Sequence, residues 1–132
     1  MFGKKPGVNT TIDSLIGAGT RIEGDVYFVG GLRIDGHVKG NVIAESEEPS
    51  MLVISEQARV EGQISVTHLV VNGVINGPVC ARDMLELQPK ARLTGEVQYR
   101  TLEMHHGAIV DGKLSYADDG ARPGLKLASN NS

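Results

Sequence analysis

Apolar residues in this chain come in pairs two positions apart, and the pairs recur from about residue 14 to residue 114. Gly24, Gly40, Gly62, Gly77, Gly95 and Gly112 mark the recurrence. Two residues before them stand Ile22, Val38, Val60, Ile75, Leu93 and Val110; two residues after stand Val26, Val42, Ile64, Val79, Val97 and Leu114. Upstream of the glycine units runs a second apolar series: Leu32 and Ile34, Leu52 and Ile54, Leu69 and Val71, Leu85 and Leu87, Leu102 and Met104. The first copy is weaker, with Ser14 and Ile16. Alternation with period two predicts strands with one buried face, each about three to five residues long before Gly or polar punctuation.

The glycines are 16, 22, 15, 18 and 17 residues apart. Three short strand pieces in such a period predict one coil of a β-solenoid, with the aliphatics stacked in columns inside and the glycine at a corner where φ is positive. The longest gap holds the polar, proline-bearing segment 45–50, expected as a loop. The connector between the two apolar series has two lengths. It is six residues from Ile16 to Ile22, Ile54 to Val60, Leu87 to Leu93 and Met104 to Val110, and four from Ile34 to Val38 and Val71 to Ile75. In three six-residue connectors Ala58, Ala91 or Ala108 precedes the second apolar residue by two, with Thr20 in the first, which predicts a tight, partly inward corner. β-Branched residues and glycines are too frequent for helices, and no Asn-Gly or Asp-Gly joins two long alternating runs as a hairpin would require.

Composition fits this picture. In 132 residues, 40% are apolar but only 4% aromatic, so the core is aliphatic, and 17 glycines spread through the chain mean turns at intervals. A net charge of −3 without a basic stripe argues against nucleic acid as a partner. There is no long apolar run and no apolar stretch at the N-terminus, so neither a membrane span nor a secretory signal is expected. The single cysteine, Cys80, cannot form an internal disulfide, and a reducing cytoplasm is the simplest compartment.

Catalytic chemistry finds little footing. His37, His68, His105 and His106 fall at different points of the repeat, unlike the three histidines that a carbonic-anhydrase-type β-helix gathers around zinc, and are expected to face solvent. Cys80 has no neighbouring His or acid in sequence, and Asp35, Asp83 and Asp111 suit turns and surface better than an acid–base pair. No phosphate-loop pattern occurs. No catalytic residue, metal ligand or cofactor is therefore assigned.

The spaced IEGDV, KGNV, VEGQI, NGPV, LTGEV and VDGKL units, with the start Met1-Phe-Gly-Lys-Lys5, resemble the bactofilins, bacterial polymer-forming cytoskeletal proteins. The resemblance implies an all-β, right-handed parallel β-helix of about six coils over residues 12–117, flanked by disordered tails at 1–11 and 118–132. It further implies end-to-end polymerisation without nucleotide into filaments that lack polarity, and scaffolding of cell-wall or morphogenesis proteins at the cytoplasmic face of the inner membrane. On that reading Met1, Phe2, Lys4 and Lys5 form a weak anchor for an anionic membrane surface, strengthened by avidity in a polymer. The C-terminal tail lacks any strand period; the segment around Leu125–Leu127 suits a partner motif or a solubilising brush, and the brush is the expectation.

Self-association also follows from solenoid physics, because each end exposes unpaired strand backbone and a section of the core. Ile12, Leu15, Ile16, Ile22 and Val26 at one end, with Leu102, Met104, Val110, Leu114 and Tyr116 at the other, are the expected polymerisation surfaces. At about 4.8 Å per coil, six coils make a subunit about 29 Å long. Two other functions fit a small β-helix: an enzyme of hexapeptide acyltransferase or carbonic-anhydrase type, and a regulatory domain binding a division protein as a dimer.

Overall fold

The computed structural model describes residues 11–45 and 47–116. These wind into six coils of three strands. In chain order the strands are β1 (Ser14–Ile16), β2 (Arg21–Glu23), β3 (Val26–Phe28), β4 (Gly31–Ile34), β5 (His37–Lys39), β6 (Val42–Ala44), β7 (Met51–Ile54), β8 (Arg59–Glu61), β9 (Ile64–Val71), β10 (Val74–Asn76), β11 (Val79–Leu87), β12 (Arg92–Thr94), β13 (Val97–Met104), β14 (Ile109–Asp111) and β15 (Leu114–Tyr116). β9, β11 and β13 are longer than the sequence pattern suggests, because each closes one coil and opens the next without a break. The register shift between Ala81 and Met84 takes up the bend in β11.

All pairing is parallel, each coil against the next. One face stacks β2, β5, β8, β10, β12 and β14 in that order. The other two faces share the larger sheet, in which β1, β4, β7, β9, β11 and β13 supply the first ladder and β3, β6, β9, β11, β13 and β15 the second.

The register turns the sequence repeat into columns. Ile22, Val38, Val60, Ile75, Leu93 and Val110 lie over one another in consecutive pairs. So do Ile16, Ile34, Ile54, Val71, Leu87 and Met104, and likewise Val26, Val42, Ile64, Val79, Val97 and Leu114. In the middle coils these side chains are completely or almost completely buried. Ala58 and Ala91 are buried as well, which fits the inward corner expected from the six-residue connectors. Each full burial of an aliphatic side chain contributes about 1.5–3 kcal/mol, so the columns supply most of the driving force for folding.

The glycine corner is built by close approach. A Cβ on Gly40 would lie 2.1 Å from the carbonyl oxygen of Gly24, and one on Gly62 would lie 2.1 Å from that of Gly40. Gly77, Gly95 and Gly112 repeat the arrangement, so six glycines form a column of their own. Their φ angles are positive, 126° at Gly95 and 137° at Gly24, a conformation that side chains disfavour. The corner beside it carries a short side-chain ladder: Asp25 Oδ1 accepts from the Asn41 N–H at 2.9 Å, and Asn41 Oδ1 from the Gln63 N–H at 2.8 Å.

The described part of the link between β6 and β7, residues 45 and 47–50, forms no strand. Ser50 ties its end down: it is buried, and its hydroxyl accepts from the Thr67 N–H at 3.2 Å.

Candidate assembly interface

The two ends differ from the middle of the solenoid in one respect. Their inward residues have a neighbouring rung on one side only. Val38, Val60 and Ile75 are fully buried, whereas Ile22 and Val110, the ends of the same column, are half-buried. At the first coil Ile16 and Val26 are likewise half-buried, and Phe28 packs partly on the core. At the last coil Met104 is 45% exposed, Leu114 40% and Tyr116 54%, with Leu102 half-buried. Tyr116 stands edge-on to Tyr99 one coil below, ring centroids 6.4 Å apart.

Of the ten residues expected at the ends, eight therefore project into the end sections of the core. Leu15 does not. It pairs with Arg33 and continues the outward column of Val53, Val70, Glu86 and Glu103, so its 61% exposure belongs to the lateral wall. Ile12 precedes β1, 39% exposed, beside the Asp13 N–H that donates to Gly31 O at 2.9 Å. The apolar pattern underrated Ile109, which is 51% exposed in the outward column that begins with Arg21 and His37.

Backbone valency adds to the apolar surface. β1, β2 and β3 each pair on one side only, with β4, β5 and β6. β14 and β15 each have one neighbour, β12 and β13, and the Thr101–Met104 part of β13 pairs only with β11. Among the described residues nothing covers either end. Open edges of this kind are templates for further strands.

The lateral walls mix outward apolar side chains such as Leu15, Val53 and Ile109 with local charge pairs. Glu61 accepts from His37 Nε2 at 2.8 Å, and that hydrogen bond holds its carboxyl below the usual range, with smaller help from Lys39 and Arg59. Arg33 does the same for Asp35 at 2.8 Å, assisted by Ser55, and Arg21 for Glu23. Pairs as exposed as these add little stability. Cys80 faces outward from β11, half-buried in a shallow depression lined by Gln63, Pro78, Glu96 and Gln98. His37 and His68 sit on the second and fourth coils, and His105 and His106 at the corner between β13 and β14 of the sixth. The expected membrane residues Met1, Phe2, Lys4 and Lys5 lie outside the described residues. No helix among the described residues is long and apolar enough to cross a membrane.

Comparison with known proteins agrees with this architecture. Compared with curated proteins, the chain has no match. Among solved structures it is similar to the bactofilin of Thermus thermophilus, seen by electron cryomicroscopy in double helical filaments. That likeness has a TM-score of 0.65 at 24% identity, covers 79% of this chain and 99% of the other, and shows a shared fold. A family model described as bactofilin, polymer-forming cytoskeletal, matches residues 14–115, from the first residue of β1 to within one residue of the end of β15. The unfinished rungs at both ends thus belong to a solenoid of known kind, and the chain is a member of the bactofilin family of polymer-forming cytoskeletal proteins.

Proposed function

We propose that this chain is a filament subunit that joins end to end without nucleotide and scaffolds cell-shape or cell-wall proteins at the inner face of the cell membrane. The observation that carries the proposal is the pair of unfinished ends, where the core columns stop half-exposed and, among the described residues, every terminal strand keeps one unpaired edge. Stacking a second subunit on either end would continue both the apolar columns and the backbone ladders, two gains from one contact. The lateral wall, with its charge pairs and outward apolar side chains, would stay open to water and to partner proteins.

Membrane contact rests on the first five residues. Met1 and Phe2 supply two insertable side chains, and Lys4 and Lys5 about 1 kcal/mol each toward anionic headgroups. One such tail binds feebly, but a filament presents many along one line. Deleting residues 2–5 is expected to leave nucleotide-free filaments intact in negative-stain micrographs. It should also release them from vesicles containing anionic lipid in a sedimentation assay. Equal co-sedimentation of the shortened and full chains would refute the anchor; compact particles in place of filaments would refute the subunit role.

A further inference from the structure

Outside the assembly surfaces, one cluster of side chains has the composition of a metal site. Glu86 of β11 and Glu103 of β13 are Cα partners in adjacent rungs, both facing outward. Like charges so placed repel. Among the described residues neither has an arginine or lysine partner; the ion-pair partner of both is His105. The His105 backbone is fixed at the corner after β13, its N–H donating to Leu87 O at 2.9 Å and its carbonyl accepting from the Ala108 N–H at 3.2 Å. This corner turns the ring back over the two carboxylates.

His105 Nε2 is hydrogen-bonded to Glu86 and lies nearly as close to Glu103, at distances longer than in the other histidine–carboxylate pair. His105 Nε2 lies 3.2 Å from Glu86 Oε2 and 3.3 Å from Glu103 Oε2. The His37–Glu61 pair on another face closes to 2.8 Å, within the range of about 2.7–2.9 Å expected of a charge-assisted hydrogen bond. Tetrahedral ligands at zinc bond lengths of about 2.0–2.2 Å stand about 3.3–3.5 Å from one another, close to both distances from His105 Nε2. The ligand atoms of all three residues lie within 4.8 Å of one another. Gln88 Nε2, at 3.4 Å, reaches the same Glu86 oxygen and helps orient it.

We propose that Glu86, Glu103 and His105 bind a divalent cation of the zinc class, with a fourth position open to water. One imidazole and two carboxylates suit zinc; calcium takes six to eight oxygens, more than the site offers. The ion would replace a repulsive contact with a bridge between the fifth and sixth coils. Glu103 and His105 belong to the last rung, whose upper edge is unpaired, so zinc would brace the rung that meets the next subunit.

The test is equilibrium dialysis of the tag-free full chain against zinc chloride. One zinc per chain is expected. Glu86→Gln, Glu103→Gln and His105→Ala should each weaken binding at least about tenfold. His37→Ala, which removes the other histidine–carboxylate pair, should bind zinc as the parent does, and excess calcium should not displace the ion. Circular dichroism verifies that each variant is folded. Parent-like affinity in all three ligand variants, or no saturable binding up to about 1 mM zinc, would overturn the proposal. The trio would then be a histidine sharing its proton between two carboxylates.

Discussion

Gly62→Ala is expected to cost about 4 kcal/mol of folding stability, at the upper end of what single substitutions do. The new Cβ would lie 2.1 Å from the oxygen and 2.5 Å from the carbonyl carbon of Gly40. Both are backbone atoms held in place by neighbouring ladders: Gly40 donates its N–H to Glu61 O at 2.9 Å, and the Val42 N–H donates to Gln63 O at 2.8 Å. No side chain can rotate away, so relief requires the second and third coils to part, and parting them lengthens ladder bonds on two faces. A single domain has only about 5–15 kcal/mol in total. Gly24→Ala provides the comparison. Its φ of 137° brings strain of about 1–3 kcal/mol, but nothing lies within 4 Å of the added Cβ. Urea denaturation followed by circular dichroism should show a much larger loss of midpoint for Gly62→Ala than for Gly24→Ala. Equal midpoints would mean that the glycine column reflects turn preference and not close approach.

Charge at the last rung should have the opposite profile, sparing the fold and abolishing assembly. Leu114 is 40% and Tyr116 54% exposed in the isolated chain, so arginine or aspartate at either position keeps its water in the monomer. Losing Tyr116 also gives up the edge-on contact with Tyr99, about 0.5–1.5 kcal/mol. Once a second subunit covers that rung, the introduced charge is buried without a partner, which costs several kcal/mol per ion. Leu114→Arg and Tyr116→Asp are therefore expected to give a parent-like β spectrum, no filaments in the electron microscope and a small species by sedimentation. Val97→Asp, one coil further in and fully buried, should instead unfold the chain. Filaments of parental length from either end variant would show that this surface takes no part in assembly.

The contrast between these two substitutions follows what the sequence made legible. The columns could be read directly, because burial on every coil imposes the same period and the solenoid keeps it from β1 to β15. Ala58 and Ala91 disclosed their corners because only a small side chain fits inward there. Leu15 was misleading for a local reason. In the first coil Ser14 takes the inward position that leucine holds in the others, so the apolar residue beside it passed for core. The carboxylate pair was half visible: Glu86 follows Leu85 as Glu103 follows Leu102, and aligned leucines imply stacked glutamates. The approach of His105 was not visible, since it depends on how the corner after Met104 folds back, and residue spacing does not encode a side-chain direction at a turn.

The ladders that join the coils also set how the molecule responds to force. Its strands run across the long axis and its hydrogen bonds along it, so a pull on the two ends loads those bonds head-on, rung by rung. Each rung is covalently continuous with the next, like the thread of a screw. Overload therefore peels a terminal turn and leaves the interior wound, and the peeled turn stays tethered at the place where it must rewind. The mechanical weak point and the point of repair are the same rung.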